Sequence, residues 1–175
     1  MLWAPSWEFY ESPSAKVVDV VDTILNWLPA GWSLGVRLHP VRSVGKLVCR
    51  NDRRLIDLSG EIFRSTESVL RETDVLMTDF SSIWVDFLVT GREIVGFGNE
   101  VQKVIDSGRL RAEYCSQFPG RWFSSIKKLC ETLNTIHEGQ PFQKQRKGLL
   151  EIVGPYESAS IRIVDIVQRE MERDL

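Results

Sequence analysis

Histidine and cysteine are scarce in this chain of 175 residues, with two of the first and three of the second. The cysteines, Cys49, Cys115 and Cys130, are odd in number and far apart, and no CxxC or Cys/His ligand pattern occurs. That argues against a disulfide framework and against a zinc site, and it fits a reducing, cytoplasmic setting. No apolar run approaches the ~20 residues that a membrane-spanning helix needs, and no basic segment precedes an apolar one at the start, so no secretory signal is read. An excess of charge is also missing: 22 basic residues stand against 24 acidic ones, for a net charge of −2. General nucleic-acid binding needs a basic face to meet phosphates, so no nucleic-acid partner is expected. Repeats, low-complexity tracts and a glycine-rich phosphate loop are absent too, and no metal or cofactor is called for.

What is present is an ordinary globular composition, 43% apolar and 26% charged, sized for one domain. Six tryptophans point to a sizeable core or to a pocket with large flat walls. The chain opens at once on LWA, residues 2 to 4, a short strand stopped by Pro5; this start suggests one domain cut from a larger protein. SPSAKVVDVVDTILNWL follows as a helix, entered at Ser12–Pro13, with Val17, Val20, Val21, Ile24 and Leu28 on one face and Lys16, Asp19, Thr23 and Asn26 opposite. SLGVRLHP and LIDLS read as strands. EIFRSTESVLRET reads as a helix with Ile62, Val69 and Leu70 inward. VLMTD is a fourth strand, SSIWVDFLVTG a helix closed by Gly91, and EIVGFG a fifth strand. Strands alternating with helices predict a parallel sheet built of βαβ units. Residues 99 to 121 read as a surface loop. Helices then dominate, over roughly 122 to 137, 141 to 152 and 158 to 173.

In such a sheet, ligands sit beyond the carboxyl ends of the strands. The residues predicted there are Pro5, Ser6 and Trp7; Arg37, His39 and Pro40; Ser59 and Gly60; Thr78, Asp79, Ser81 and Ser82; and Gly96, Gly98 and Asn99. In VLMTDFSSIWVDFL, one acid and three hydroxyls interrupt an apolar run. A helix starting at Ser81 or Ser82 would aim free N–H groups at the rim, with hydroxyl donors beside them. Taken alone these residues read first as ordinary N-caps. Arg37, on an apolar strand, calls for an anion or a carboxylate. Asp86, one turn past Ser82 in a helix read as largely buried, calls for a partner, and Arg37 is one candidate. Trp3, Trp7, Cys115 and Cys130 read as core, and Arg50, Arg53 and Arg54 as a solvated loop.

APSW at 4 to 7, RLHP at 37 to 40, DVLMTDFSSIWVDFL at 74 to 88 and SASIRIVDIV at 158 to 167 occur in that order. Together they resemble the motifs of the CDP-glycerol glycerophosphotransferase family, the polymerases and primases of wall teichoic acid. The resemblance covers nearly the whole chain but only the C-terminal half of the family's proteins. It implies an α/β domain spanning 1–175: a Rossmann-like sheet flanked by helices, the C-terminal half of a GT-B-type enzyme, with a helical C-terminal segment. It implies a transferase domain that binds the CDP part of its donor and works with an N-terminal half at the inner face of the cell membrane. It further implies that Arg37 and His39 face the donor diphosphate, and that Ser81 and Ser82 hold phosphate while Thr78 and Asp79 shape the turn. Three features depart from the family. Glu8 stands where an arginine follows the tryptophan, the histidine of the family's N-terminal half has no counterpart, and the loop after the fifth strand is differently spaced. They keep open a nucleotide-sugar glycosyltransferase donor domain for a capsule or surface glycan, and a non-catalytic module.

Overall fold

The computed structural model describes residues 1–6, 15–39, 51–98, 101–111 and 118–138. Its centre is a sheet of six strands: β1 (Leu2–Ala4), β2 (Leu34–Val36), β3 (Leu55–Asp57), β4 (Val75–Thr78), β5 (Glu93–Phe97) and β6 (Arg121–Phe123). Every neighbouring pair runs parallel, in the order β3-β2-β1-β4-β5-β6. That is the strand order of dinucleotide-binding sheets, and the fold is Rossmann-like. The apolar runs explain it. β1, β2, β4 and β5 are buried along their whole length, as strands covered on both faces must be.

Successive side chains of each strand point to opposite faces, so the strands divide between two cores. Trp3, Met77 and Val95 meet α1 (Ala15–Trp27), through Val17, Val20, Val21 and Ile24, and meet the last described helix through Leu129, Cys130 and Leu133. Leu2, Leu76 and Ile94 meet α2 (Thr66–Arg71) through Val69 and Leu70, and α3 (Ile83–Leu88) through Trp84, Phe87 and Leu88. α1 carries four of the five apolar positions expected on its inner face, Leu28 lying one residue past its end, and all five are buried.

Three expectations change. The second helix is shorter than predicted. Ser65 caps it, its Oγ accepting from the Ser68 N–H at 3.1 Å, so Ile62 lies before the helix and is 58% exposed instead of inward. The segment 99–121 holds α4 (Val101–Asp106). Most importantly, Trp122 belongs to a strand, β6, and the helix begins only at Ile126, as α5 (Ile126–Glu138). Phe123 enters one core and Trp122 packs on the other, a period of two hidden in three residues. Neighbouring glycines permit this: a Cβ on Gly120 would lie 1.9 Å from the Ile94 carbonyl oxygen, and one on Gly96 would lie 2.4 Å from Trp122 Cε3. The Ser12–Pro13 helix start and the helices predicted over 141–152 and 158–173 lie outside the described residues. No described helix is long and apolar enough to cross a membrane.

Candidate functional site

The strand order changes direction between β1 and β4, and the chain leaves these neighbours toward opposite edges of the sheet. A crevice forms beyond such a point. Ala4 pairs with Thr78 at the carboxyl end of both strands, so the segments starting at Pro5 and at Asp79 meet there.

Asp79 joins them. It is fully buried, and the Ser6 N–H donates to both its oxygens at 2.9 Å. The Ser6 hydroxyl donates to Oδ2 at 2.8 Å, and the Ser81 N–H donates to Oδ1 at 3.0 Å. Burial pushes this carboxyl up from its ordinary 3.8 to about 6, against the pull of these donors. It holds two loops together. Thr78 turns inward, its hydroxyl donating to the Ala4 carbonyl at 2.6 Å. Asp79 and Thr78 thus build the turn, their side chains bonded to protein groups.

Ser81, Ser82 and Asp86 do reach the rim. With Pro5, Arg37 and His39 they line a cleft of about 240 Å³. Asp86 is exposed, which corrects the expectation of a buried acid: only Trp84, Phe87 and Leu88 of α3 are buried. The expected helix terminus is also weaker than the sequence suggests. α3 has six residues, and Ser82 leads into it in helical geometry without a side-chain cap. Fewer than two turns sum to a small dipole. The Ser81 hydroxyl accepts from the Ile83 N–H at 3.4 Å.

On the other wall, Arg37 follows β2, its backbone N–H donating to the Trp3 carbonyl at 2.9 Å. Its guanidinium meets neither a carboxylate nor Asp86 through its hydrogen bonds. Nη1 donates to the carbonyls of Leu58, at 2.6 Å, and Phe63, at 2.9 Å, and Nη2 donates to the Thr66 hydroxyl at 2.9 Å. His39 is exposed at the mouth. Gly60 lines the cleft as expected, while the Ser59 N–H donates to Asp57 Oδ1 at 2.9 Å. Gly98 is tied down from both sides, its N–H donating to the Phe123 carbonyl at 3.1 Å and its carbonyl accepting from Trp122 Nε1 at 2.9 Å. Trp7, Pro40 and Asn99 lie outside the described residues.

Sequence reasoning missed Thr66, which lines the cleft; the Ser65 capping signal one residue earlier could have marked it as a helix start at the rim. A larger groove, about 730 Å³, lies at the opposite end of the sheet, where Met1, Ser33 and Asp74 begin or precede strands. Its apolar lining of Ile56, Leu58 and Phe63 offers little to an anion. The smaller cleft, with its histidine, arginine and two serines, is the candidate site. Among the described residues no group of three or more potential metal ligands occurs.

Fold and cleft together define a Rossmann-like domain with a small polar cleft, of one cationic and several hydroxyl-bearing groups, at its switch point. The chain belongs to the CDP-glycerol:poly(glycerophosphate) glycerophosphotransferase family, whose sequence model matches residues 2–168. It is similar in fold to a solved structure of the wall teichoic acid polymerase TagF, with a TM-score of 0.70 at 20% identity over 99% of this chain and 43% of that one. A histidine-to-asparagine variant of TagF matches with a TM-score of 0.76 at 20% identity, over 99% and 44%. The same variant soaked with CDPG matches with a TM-score of 0.72 at 17% identity, over 99% and 41%. This chain thus spans less than half the length of each. No curated protein matches it significantly in sequence.

Proposed function

We propose that this chain is the donor-binding domain of a CDP-glycerol-dependent glycerophosphotransferase, and that the cleft between β1 and β4 seats the donor's diphosphate. The observation that carries the reading is the convergence of His39, Ser81 and Ser82 with the charge of Arg37 in one cleft, in a chain of this family. In this reading the hydroxyls of Ser81 and Ser82 donate to phosphate oxygens, and Arg37 supplies positive charge to the wall. His39, at the mouth, stabilises the leaving phosphate by charge or by giving it a proton. An acceptor hydroxyl attacks the β-phosphorus of CDP-glycerol. The bond from that phosphorus to the oxygen bridging it to the α-phosphorus breaks, CMP leaves with that oxygen, and the hydroxyl proton passes to a base. Positioning and charge neutralisation carry most of such a transfer. Acceptor and base come from the part of the relatives that this chain does not span. The setting is the inner face of the cell membrane, with peripheral attachment.

Titration calorimetry with CDP-glycerol, CDP and UDP-sugars tests the reading. CDP and CDP-glycerol are expected to bind. His39→Ala and Ser82→Ala are each expected to weaken them by about tenfold, the range for a hydrogen bond to a charged group. Preference for a UDP-sugar would instead identify a glycosyltransferase donor domain. Binding of no nucleotide by the folded chain would defeat both and leave a non-catalytic module.

A further inference from the structure

The segment from Leu58 to Thr66 forms one wall of the cleft, through Gly60 and Thr66. Its two ends are tied to β3 and α2, through Ser59 on Asp57 and through Ser65 on Ser68, and the stretch between them is mostly exposed. Between β3 and α2 it makes a turn of its own, with the N–H groups of Ile62 and Phe63 donating to the Ser59 carbonyl at 3.1 and 2.8 Å. Its two large apolar side chains, Ile62 and Phe63, are 58% and 43% exposed. At its start it is tied to the sheet by the Leu58 N–H, donating to the Val36 carbonyl at 2.9 Å, by the Ser59 N–H, donating to Asp57 Oδ1 at 2.9 Å, and by the Leu58 side chain, which packs against the core.

Against this the Arg37 guanidinium reaches three acceptors spread over nine residues: the carbonyls of Leu58 and Phe63 and the hydroxyl of Thr66. They mark the start of the segment, its far side and the first residue of α2. Arg37 itself is fixed, since its backbone extends the pairing of β2 with β1. Gly60 sits beside the guanidinium, where an added Cβ would be 3.8 Å from Nη2. A rigid planar fork spreads its donors over three nitrogens and reaches acceptors set apart from one another, whereas the three donors of an ammonium radiate from one nitrogen on a flexible stem.

We propose that Arg37 is a positioning residue: it holds the 58–66 segment in place as a wall of the cleft and acts on a diphosphate ligand through that wall. The proposal rests on the donor-binding reading for its ligand but not for the clamp. Geometry, more than charge, is then what the site requires at this position.

The test compares Arg37→Lys, Arg37→Ala and Thr66→Val in the full 175-residue chain, by CDP titration and by amide hydrogen exchange over residues 58–66. Arg37→Lys keeps the charge, and Thr66→Val removes one of the three bonds without touching the charge or the core. If Arg37 positions the wall, the lysine variant fails to rescue: both Arg37 variants speed exchange in 58–66 and weaken CDP by a similar factor, about tenfold or more. Thr66→Val does both to a smaller extent, about threefold. Wild-type affinity in Arg37→Lys alongside loss in Arg37→Ala would overturn the proposal and assign the role to charge. Unchanged exchange in Thr66→Val and Arg37→Lys would overturn it as well. If the wild-type chain binds no CDP, the donor reading falls, while exchange still decides whether the clamp exists.

Discussion

Asp79 shows how one side chain can join two segments of the chain. Its carboxylate receives donors from Ser6 and Ser81 but pays for burial with a raised pKa, about 6 against 3.8. The folded state therefore retains a proton between pH 4 and 6 that the unfolded chain has lost. Stability from this group is full below pH 4 and disappears as pH rises through 6. Chemical denaturation at pH 4 and pH 7 should show wild type losing on the order of 2–3 kcal/mol over that interval relative to Asp79→Asn, which cannot titrate. Thr78→Val keeps the shape of a buried side chain and deletes its bond to Ala4; urea denaturation should register a loss of about 1–2 kcal/mol. At this scale the sequence is half legible. The hydroxyls and acid of TDFSS mark the place where β4 meets the rim. Which of them turns inward is settled by the pairing of β4 with β1, and nothing local encodes that. The same holds for Arg37: its charge suggests an anion, but its acceptors lie 21 to 29 residues downstream.

Among the elements, α1 is readable because thirteen residues repeat their apolar spacing often enough to fix a period. β6 is not, because three residues cannot display one, and the helix that follows extends its own pattern backwards over them. The clearer signal for β6 lies outside it, in small residues where its path presses on β5. Gly120→Ala would force a Cβ onto the Ile94 backbone, which cannot move aside as a flexible side chain could. It should destabilise the chain by roughly 3 kcal/mol and loosen the edge of the sheet, seen as faster exchange of amides in β6. Truncation within α5 offers a contrast: Leu129→Ala empties a fully buried site and should cost about 2–5 kcal/mol while leaving the cleft, on the other side of the sheet's rim, able to bind CDP.

For the whole molecule, a net charge of −2 gives little long-range attraction for a diphosphate, so the proposed recognition would rest on the few groups gathered at the cleft. CDP at a hundred times its Kd should raise the unfolding free energy by about 2.7 kcal/mol, a shift measurable by thermal unfolding with and without nucleotide. Ser6 and Asp79, which knit the two sides of the cleft, are 73 residues apart in sequence, and β1, which ends two residues before the first of them, has a neighbour on each side in the finished sheet. During synthesis, the opening residues must wait for β4 before they have a partner on that side. On the proposed reading, a ribosome-bound chain ending before residue 79 is expected to hold no donor, however well α1 has already formed. Nucleotide binding by nascent chains of increasing length would therefore appear as a single late step, and it would date the moment at which the sheet closes on its own first strand.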